Sequence, residues 1–172
     1  GSSMYLKAGE TLSLRDTLYG LMLASGNDAA VAIAGECGGM TAFVGKMNAK
    51  AAELGLTDTH FDNPNGLPSD THYTTAHELA KITAAALKDP VFRQIVSTKS
   101  CTVSGHALSN HNRLLSMYDG AIGVKTGFTR AAGRCLVSAA ERNGRTIIAV
   151  TLNDPNDWND HMEMLDAGFA QY

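Results

Sequence analysis

The sequence predicts an α+β fold on three observations: helix-spaced apolar residues fill the first part of the chain, strand-like runs fill positions about 99–153, and helical spacing returns at the end. The 172 residues are 44% hydrophobic and 18% charged, the composition of a globular chain with a buried core and not of a disordered or fibrous one. One domain is expected over 1–172, with a helical region at about 10–98, a strand-rich region at about 99–153 and a C-terminal helix at about 156–172.

The first helix is expected at about 14–24, where Leu14, Leu18, Leu21 and Met22 recur at helical spacing and Ser13 with Asp16 has the form of a capping box. Gly26 and Asn27 interrupt the pattern, and NDAAVAIAGECGG resumes it as an Ala-rich helix expected to be buried on most sides. A third helix is expected from near Thr41 through FVGKMNAKAAEL, stopped at Gly55, a natural left-handed C-terminal residue. Residues 57–74, TDTHFDNPNGLPSDTHYT, are dense in turn formers over a length typical of functional or partner-binding loops. Thr75 and Glu78 form a capping box ahead of AHELAKITAAALKD, whose Leu79, Ile82 and Leu87 lie on one side; that helix ends before Pro90, and VFRQIVS reads as another.

The period then changes. CTVS and the run around AIGVKTG read as strands, and CLVSAAERNGRTIIAVTLN as two more joined at Arg142, Asn143, Gly144 and Arg145, where Asn-Gly is a strong hairpin signal. In NDWNDHMEMLDAGFAQY, Met162, Leu165 and Phe169 mark one side of a closing helix.

Fourteen Lys and Arg against seventeen Asp and Glu leave a formal charge of -3, which supplies no field for a polyanion, so nucleic acid is not an expected partner. No stretch approaches the ~20 apolar residues of a membrane span, and GSSMYLKAGE has neither the basic start nor the apolar run of a signal peptide. Cys37, Cys101 and Cys135 are odd in number and widely spaced, which fits small buried hydrophobes better than a disulfide framework or a C-x-x-C site. His72 and His77 are separated by five positions, not the four of H-E-x-x-H, and His60, His106, His111 and His161 have no partner at ligand spacing. No metal is expected, and the latter four are read as surface or hydrogen-bonded residues.

Two short motifs remain: Ser25-Gly26-Asn27, and Lys125-Thr126-Gly127 inside GVKTGFTRAAG. Each has an ordinary reading. Ser25 with Asp28 can cap the second helix, and Lys125 and Thr126 can be an exposed strand lysine and a common strand former. The chemical reading is that an ammonium, a hydroxyl and a glycine that clears the approach form a receptor for a peptide ending in a carboxylate. Arg130 and Arg134 lie nearby, either as an anion-attracting rim or as solvated strand-end charges. In this order, about a hundred residues apart, the two triplets resemble the second and third motifs of the penicillin-recognising serine enzymes.

The stretches YLKAGETLSLRDTLYGLMLASGNDAAVAIA, FDNPNGLPSDTHYTTAHELAKI, SNHNRLL and IGVKTGFTRAAGRCLVSAAERNGRTIIAV extend the likeness over nearly the whole chain to the D-alanyl-D-alanine carboxypeptidases of the low-molecular-mass penicillin-binding proteins. The resemblance implies a β-lactamase/transpeptidase-like fold, here incomplete. It also implies that the parent protein hydrolyses the terminal D-Ala-D-Ala bond of peptidoglycan stem peptides through a serine acyl-enzyme, is acylated by β-lactams, and uses no cofactor. By the same resemblance Ser25, Asn27 and Lys125 are catalytic, and Lys125, Thr126, Gly127, Phe128 and Thr129 bind substrate. Phe128 supplies a backbone donor to the oxyanion hole, Ser25 relays a proton, and Asn27 holds the acyl carbonyl or a lysine.

The family's chemistry begins at Ser-x-x-Lys. Three residues before the seven lysines stand Met4, Phe43, Met47, Glu78, Ala85, Val96 and Ile122, none of them serine. The expectation is a fragment that starts after the nucleophile helix and is inactive alone. The alternatives are a non-catalytic module that binds wall peptide or a partner, and a class A-like β-lactamase. In the family, N-terminal strands cover the strand at about 146–152; an exposed apolar edge there is expected to drive dimerisation or segment exchange. The resemblance places the parent outside the cytoplasm, associated with the membrane.

Overall fold

The computed structural model describes residues 1–171; Tyr172, the last position of the expected closing helix, lies outside the described residues. The elements run α1 (Leu14–Ala24), α2 (Asn27–Glu36), α3 (Met40–Glu53), α4 (Ala76–Ala86), α5 (Pro90–Ser97), β1 (Ser100–Val103), β2 (His106–Ser109), α6 (Leu114–Met117), β3 (Ala121–Thr129), β4 (Gly133–Arg142), β5 (Arg145–Thr151) and α7 (Asp157–Ala170). The α+β order is the one the sequence predicts, with β2 and α6 added. Contacts gather the chain into two units, each built from two stretches: Gly1–Thr75 with Ser100–His111, and Ala76–Lys99 with Asn112–Tyr172.

In the first unit α1 packs on α2 and α2 on α3. Ser13 accepts from the Asp16 N–H at 3.1 Å, but the Asp16 carboxylate turns away to accept from Ser104 Oγ at 2.7 Å, so only half of the expected capping box forms. The α2 helix is buried along a single stripe, Ala29, Ala30, Ile33 and Ala34, and exposes Val31 and Glu36. That corrects the expectation of burial on most sides: small side chains let one narrow stripe approach its neighbours closely. Gly55 closes α3 with φ +69°, as its place in the sequence requires. β1 and β2 pair as a hairpin through Ser104 and Gly105, both left-handed (φ 48° and 83°), the geometry of a type I′ turn.

The loop at 57–74 is ordered by side chains that bond main-chain groups. Asn48 donates to and accepts from the Phe61 main chain, both at 2.8 Å, His60 and Tyr73 exchange two backbone bonds, and Asp62 accepts from Thr71 Oγ1 at 2.7 Å.

The second unit holds an antiparallel sheet of order β3-β4-β5, with Lys125 opposite Val137 and Gly127 opposite Cys135. Asn143 and Gly144 make the predicted β4–β5 turn with φ of 52° and 76°. One face of the sheet buries Leu136, Ala140 and Ala149 with Leu114, Tyr118 and Leu165, so Leu165 anchors α7 as its spacing predicts. Pro90 opens α5 behind Asp89, which accepts from the Val91 and Phe92 N–H groups. In α4 the buried residues are Glu78 and Thr83, while Leu79, Ile82 and, just past the helix end, Leu87 are only half-buried. Burial of Thr83 is tolerated because its hydroxyl donates to the Leu79 carbonyl at 2.8 Å. The three cysteines are free and half-buried, not buried as expected.

His161, expected to be a surface or a hydrogen-bonded residue, is the second: it is wholly buried and bonded at both ring nitrogens. Nδ1 lies 2.6 Å from Ser138 Oγ and Nε2 3.0 Å from Thr151 Oγ1. The Ser138–His161 pair has the look of a nucleophile and base, but neither is accessible, and its effect is structural. Burial lowers the His161 pKa below 6.5, against the pull of Asp157, Asp154 and Asp160. Above 6.5 the ring is neutral in folded and unfolded chains. Below it the unfolded chain takes up the proton first, so stability is lost as the pH falls. The thermal midpoint is therefore expected to drop between pH 7.5 and 5.5 more in the unsubstituted chain than in His161→Gln; equal drops in a melting experiment would remove His161 as the cause.

Candidate functional site

Ser25 does not cap α2. It ends α1 in the left-handed region (φ 55°, ψ 38°), whereas an N-cap needs extended backbone, and Gly26 takes the N-cap position of α2. The ordinary reading of Ser25 with Asp28 as a capping box is thereby overturned. A non-glycine residue held left-handed is a mildly strained one, and that conformation turns the chain sharply between α1 and α2. Glycine is needed at 26, because a Cβ there would meet Asp28 Oδ1 at 2.9 Å and the Gly20 carbonyl at 3.3 Å.

The N-terminal residues fasten this turn. Asn27 donates from both its backbone N–H and Nδ2 to the Ser2 carbonyl, at 2.9 and 3.0 Å. Asp28 gathers Ser3 Oγ (2.6 Å) and the N–H groups of Met4, Leu6 and Ala29 (3.0 Å each). Burial alone raises the Asp28 pKa, but the bonds from Ser3, Leu6, Met4 and Ala29 outweigh it and hold the carboxyl at about 2. The Met4 sulfur fills the space that a side chain at Gly20 would take. In the sequence Asp28 shows only as a capping partner, and no local spacing reveals a carboxylate three of whose four donors lie more than twenty residues away.

Residues 125–129 share β3, which pairs only with β4 among the described residues and so presents its other edge unpaired. Lys125 Nζ donates to the Thr126 carbonyl at 2.8 Å, and burial pushes its ammonium down to about 8. It is thus not the exposed strand lysine of the ordinary reading. A Cβ at Gly127 would meet Cys135 only at 3.8 Å, an ordinary contact, so packing does not demand the glycine; its effect is to leave the surface clear. Phe128 is 70% exposed, and Thr129 Oγ1 accepts from the Ala132 N–H at 3.0 Å.

Arg130 is exposed beyond the end of β3, and Arg134, with 42% of its side chain exposed, is a partly solvated charge that is also paired. Its guanidinium makes two bonds to the buried Asp157 carboxylate, at 2.6 and 3.1 Å, and lies 5.7 Å from the Trp158 ring centre. The Asp157 partnership escaped sequence reading because its two ends sit on different elements. Ser25 and Asn27 thus share one turn of the first unit, and residues 125–129 share one strand of the second. Among the described residues no group of three His, Cys, Asp or Glu is placed to hold a metal ion.

Comparison with known proteins adds the following. A family profile described as D-alanyl-D-alanine carboxypeptidase matches residues 1–156. A D-alanyl-D-alanine carboxypeptidase of Streptomyces is 40% identical over 98% of this chain, and one of Mycobacterium tuberculosis is 41% identical over 96%. A third, from Bacillus subtilis, is 39% identical over the whole chain. The chain spans 65%, 61% and 46% of the lengths of these three relatives. Among solved structures, the Streptomyces DD-transpeptidase superposes with a TM-score of 0.92 at 39% identity, covering 99% of this chain and 72% of its own. A D-alanyl-D-alanine carboxypeptidase structure from Mycobacterium tuberculosis gives 0.91 at 40% identity, covering 98% of this chain and 68% of its own. These matches share the β-lactamase-like fold of the penicillin-binding enzymes.

Proposed function

This chain belongs to the D-alanyl-D-alanine carboxypeptidase family, and we propose that its parent protein removes the terminal D-Ala from peptidoglycan stem peptides through a serine acyl-enzyme and is acylated by β-lactams. The observation that carries the reading is the partly desolvated Lys125 ammonium on an edge strand, followed by Thr126, the uncrowded Gly127 and the exposed Phe128. A substrate peptide laid along that edge ends in a carboxylate, and an ammonium out of bulk water attracts it more strongly than a solvated one. In this reading Lys125, Thr126 and Thr129 receive the carboxylate, Gly127 keeps the approach open, and the Phe128 N–H polarises the scissile carbonyl. Ser25 passes a proton to the leaving amine, and Asn27 orients the acyl group.

The nucleophile is not among these 172 residues, since no serine stands three before any lysine. A fluorescent penicillin is expected to leave this chain unlabelled and to label a longer form that carries a Ser-x-x-Lys segment. Covalent label on the 172-residue chain would overturn that assignment. A longer form with no such segment would favour the non-catalytic alternative, and rapid turnover of the acyl-enzyme would favour a β-lactamase.

Two further readings belong here. The proposed substrate supports a parent outside the cytoplasm, in association with the membrane; no helix of the described residues is long and apolar enough to cross one. Among the described residues the β5 strand pairs only with β4, and its Thr146, Ile148 and Val150 main-chain groups point to the open edge, since they face the non-bonded positions of the β4–β5 ladder. We infer that copies of this chain associate there. Light scattering is expected to show a dimer that Ile148→Pro dissolves; a monodisperse monomer at high concentration removes the inference.

A further inference from the structure

Four donors converge on the Asp28 carboxylate, and only one of them belongs to α2. Oδ1 accepts from the N–H groups of Met4 and Ala29. Oδ2 accepts from the Leu6 N–H and from Ser3 Oγ, whose oxygen in turn accepts from the Tyr5 N–H at 2.9 Å. A carboxylate in the first turn of a helix is stabilised by the N–H groups of that helix alone. Here three of the four bonds reach back to residues 3–6 instead, and their effect is to hold that segment against the start of α2.

The segment so held supplies the contacts of Asn27. The Ser2 carbonyl accepts from the Asn27 backbone N–H and from Nδ2, at 2.9 and 3.0 Å. A carbonyl can only accept, so the amide must turn Nδ2 and not Oδ1 toward Ser2, which fixes one of its two flips. Gly1 lies close to the same nitrogen: a Cβ there would come 2.7 Å from Nδ2. Ser2 directly precedes the first residue tied to Asp28, so the carbonyl that Asn27 uses is placed by the bonds that Asp28 makes to Ser3 and Met4.

Asp28 has no proton to move in this arrangement. Burial works against its charge, yet the bonds from Ser3, Leu6, Met4 and Ala29 hold the carboxyl at about 2, too acidic for a base working near neutral pH. Each of its oxygens is already filled by two donors. Its influence therefore passes through Asn27.

We propose that Asp28 is a positioning residue of the acyl-transfer site: it ties residues 3–6 to α2 so that the Ser2 carbonyl sets the Asn27 amide in the one orientation the reaction uses. The link to acylation rests on the proposed function. The hold of Asp28 on Asn27 through Ser2 does not, and it lies wholly within the first unit.

Asp28→Asn is the informative variant because it keeps the size of the side chain. Whichever oxygen becomes NH₂, a main-chain N–H then faces a donor: Met4 and Ala29 on one side, Leu6 on the other. The test has two readings. In the ¹⁵N-labelled chain, Asp28→Asn is expected to move the Met4 and Leu6 amide signals, and with them the Asn27 side-chain pair toward the position of a solvent-exposed amide. In the longer form that carries the nucleophile, it is expected to lower the first-order acylation constant for a penicillin about 10–100-fold, with the noncovalent dissociation constant changed by less than about twofold. Gly1→Ala, which presses on Nδ2 and leaves the Asp28 bonds in place, is expected to reproduce the acylation defect with the Met4 and Leu6 signals unmoved.

If Asp28→Asn melts below the assay temperature, Ser3→Ala deletes one bond of the four and gives the same two readings with a smaller loss. An Asn27 side-chain signal that stays in place overturns the proposal. So does a moved signal with an unchanged acylation constant, or a loss that falls on the dissociation constant or on the fraction of active protein alone. If the unsubstituted longer form takes no penicillin, the carboxypeptidase reading fails, and the Asn27 signal by itself then decides whether Asp28 holds the turn.

Discussion

A Lys125→Met variant of this chain is expected to melt at a higher temperature than the unsubstituted chain at pH 7. The same substitution in a form that carries the nucleophile is expected to lower acylation by peptide or penicillin about 10²–10³-fold. Both effects come from one fact: burial lowers the Lys125 pKa from 10.5 to about 8. Below pH 8 the ammonium is charged in folded and unfolded chains alike, and the whole cost of its desolvation weakens the fold. Between about 8 and 10.5 the folded chain releases the proton first and the cost shrinks; above 10.5 neither state carries it. A shift of this size corresponds to about 3 kcal/mol, which methionine, of similar length and uncharged, should recover in part. Thermal melts at pH 7 and 9.5 check the sign: the gain from Lys125→Met must be smaller at the higher pH. An equal gain at both, or a loss at pH 7, would show that the charge is not what burial penalises.

Leu165→Ala is expected to cost about 3–5 kcal/mol, the largest loss from a single truncation in the second unit. Leu165 has no exposed surface, sits among Leu114, Tyr118, Leu136, Ala140 and Ala149, and is flanked by Ile147, Trp158, Met162 and Phe169. Those neighbours belong to α6, the sheet and α7 itself, so no single side chain can swing in to fill the gap. The neighbouring Met164→Ala is the control: its side chain is 37% exposed, and its loss should stay within about 1 kcal/mol. Urea unfolding monitored by circular dichroism separates the two. Comparable midpoints for both variants would mean that α7 does not depend on Leu165.

The elements that rest on local chemistry were legible in the sequence. Ser13 before α1, Gly55 after α3, Pro90 at the start of α5 and Asn143-Gly144 between β4 and β5 each act within a few residues. The spacing of Met162, Leu165 and Phe169 likewise gave the buried side of α7. What escaped was set by tertiary partners. β2 has few apolar residues and becomes a strand only by pairing with β1. His161 looks polar in isolation and is buried because Ser138 and Thr151 satisfy both ring nitrogens. Ser25 has the residue type and spacing of a cap, yet its backbone is left-handed, and no composition argument distinguishes the two. At the candidate site the Lys125 strand was readable from its triplet. The lowered Lys125 pKa, the Asp28 clamp and the Arg134–Asp157 pair depend on groups brought in from elsewhere in the chain.

The interleaving of the two units has a consequence for synthesis on the ribosome. Residues 1–75 emerge before the hairpin that completes their unit, residues 100–111, which follows only after α4 and α5 have appeared. Those two helices must wait in turn for β3, β4 and β5. Neither unit can close on a contiguous nascent segment, so vectorial folding, one unit after the other, is not open to this chain. Partly synthesised chains therefore carry uncovered helix faces until the sheet that ends at Thr151 has emerged. For the same reason a cut between residues 75 and 76 should not yield two independently folding pieces, as a cut between consecutive domains does.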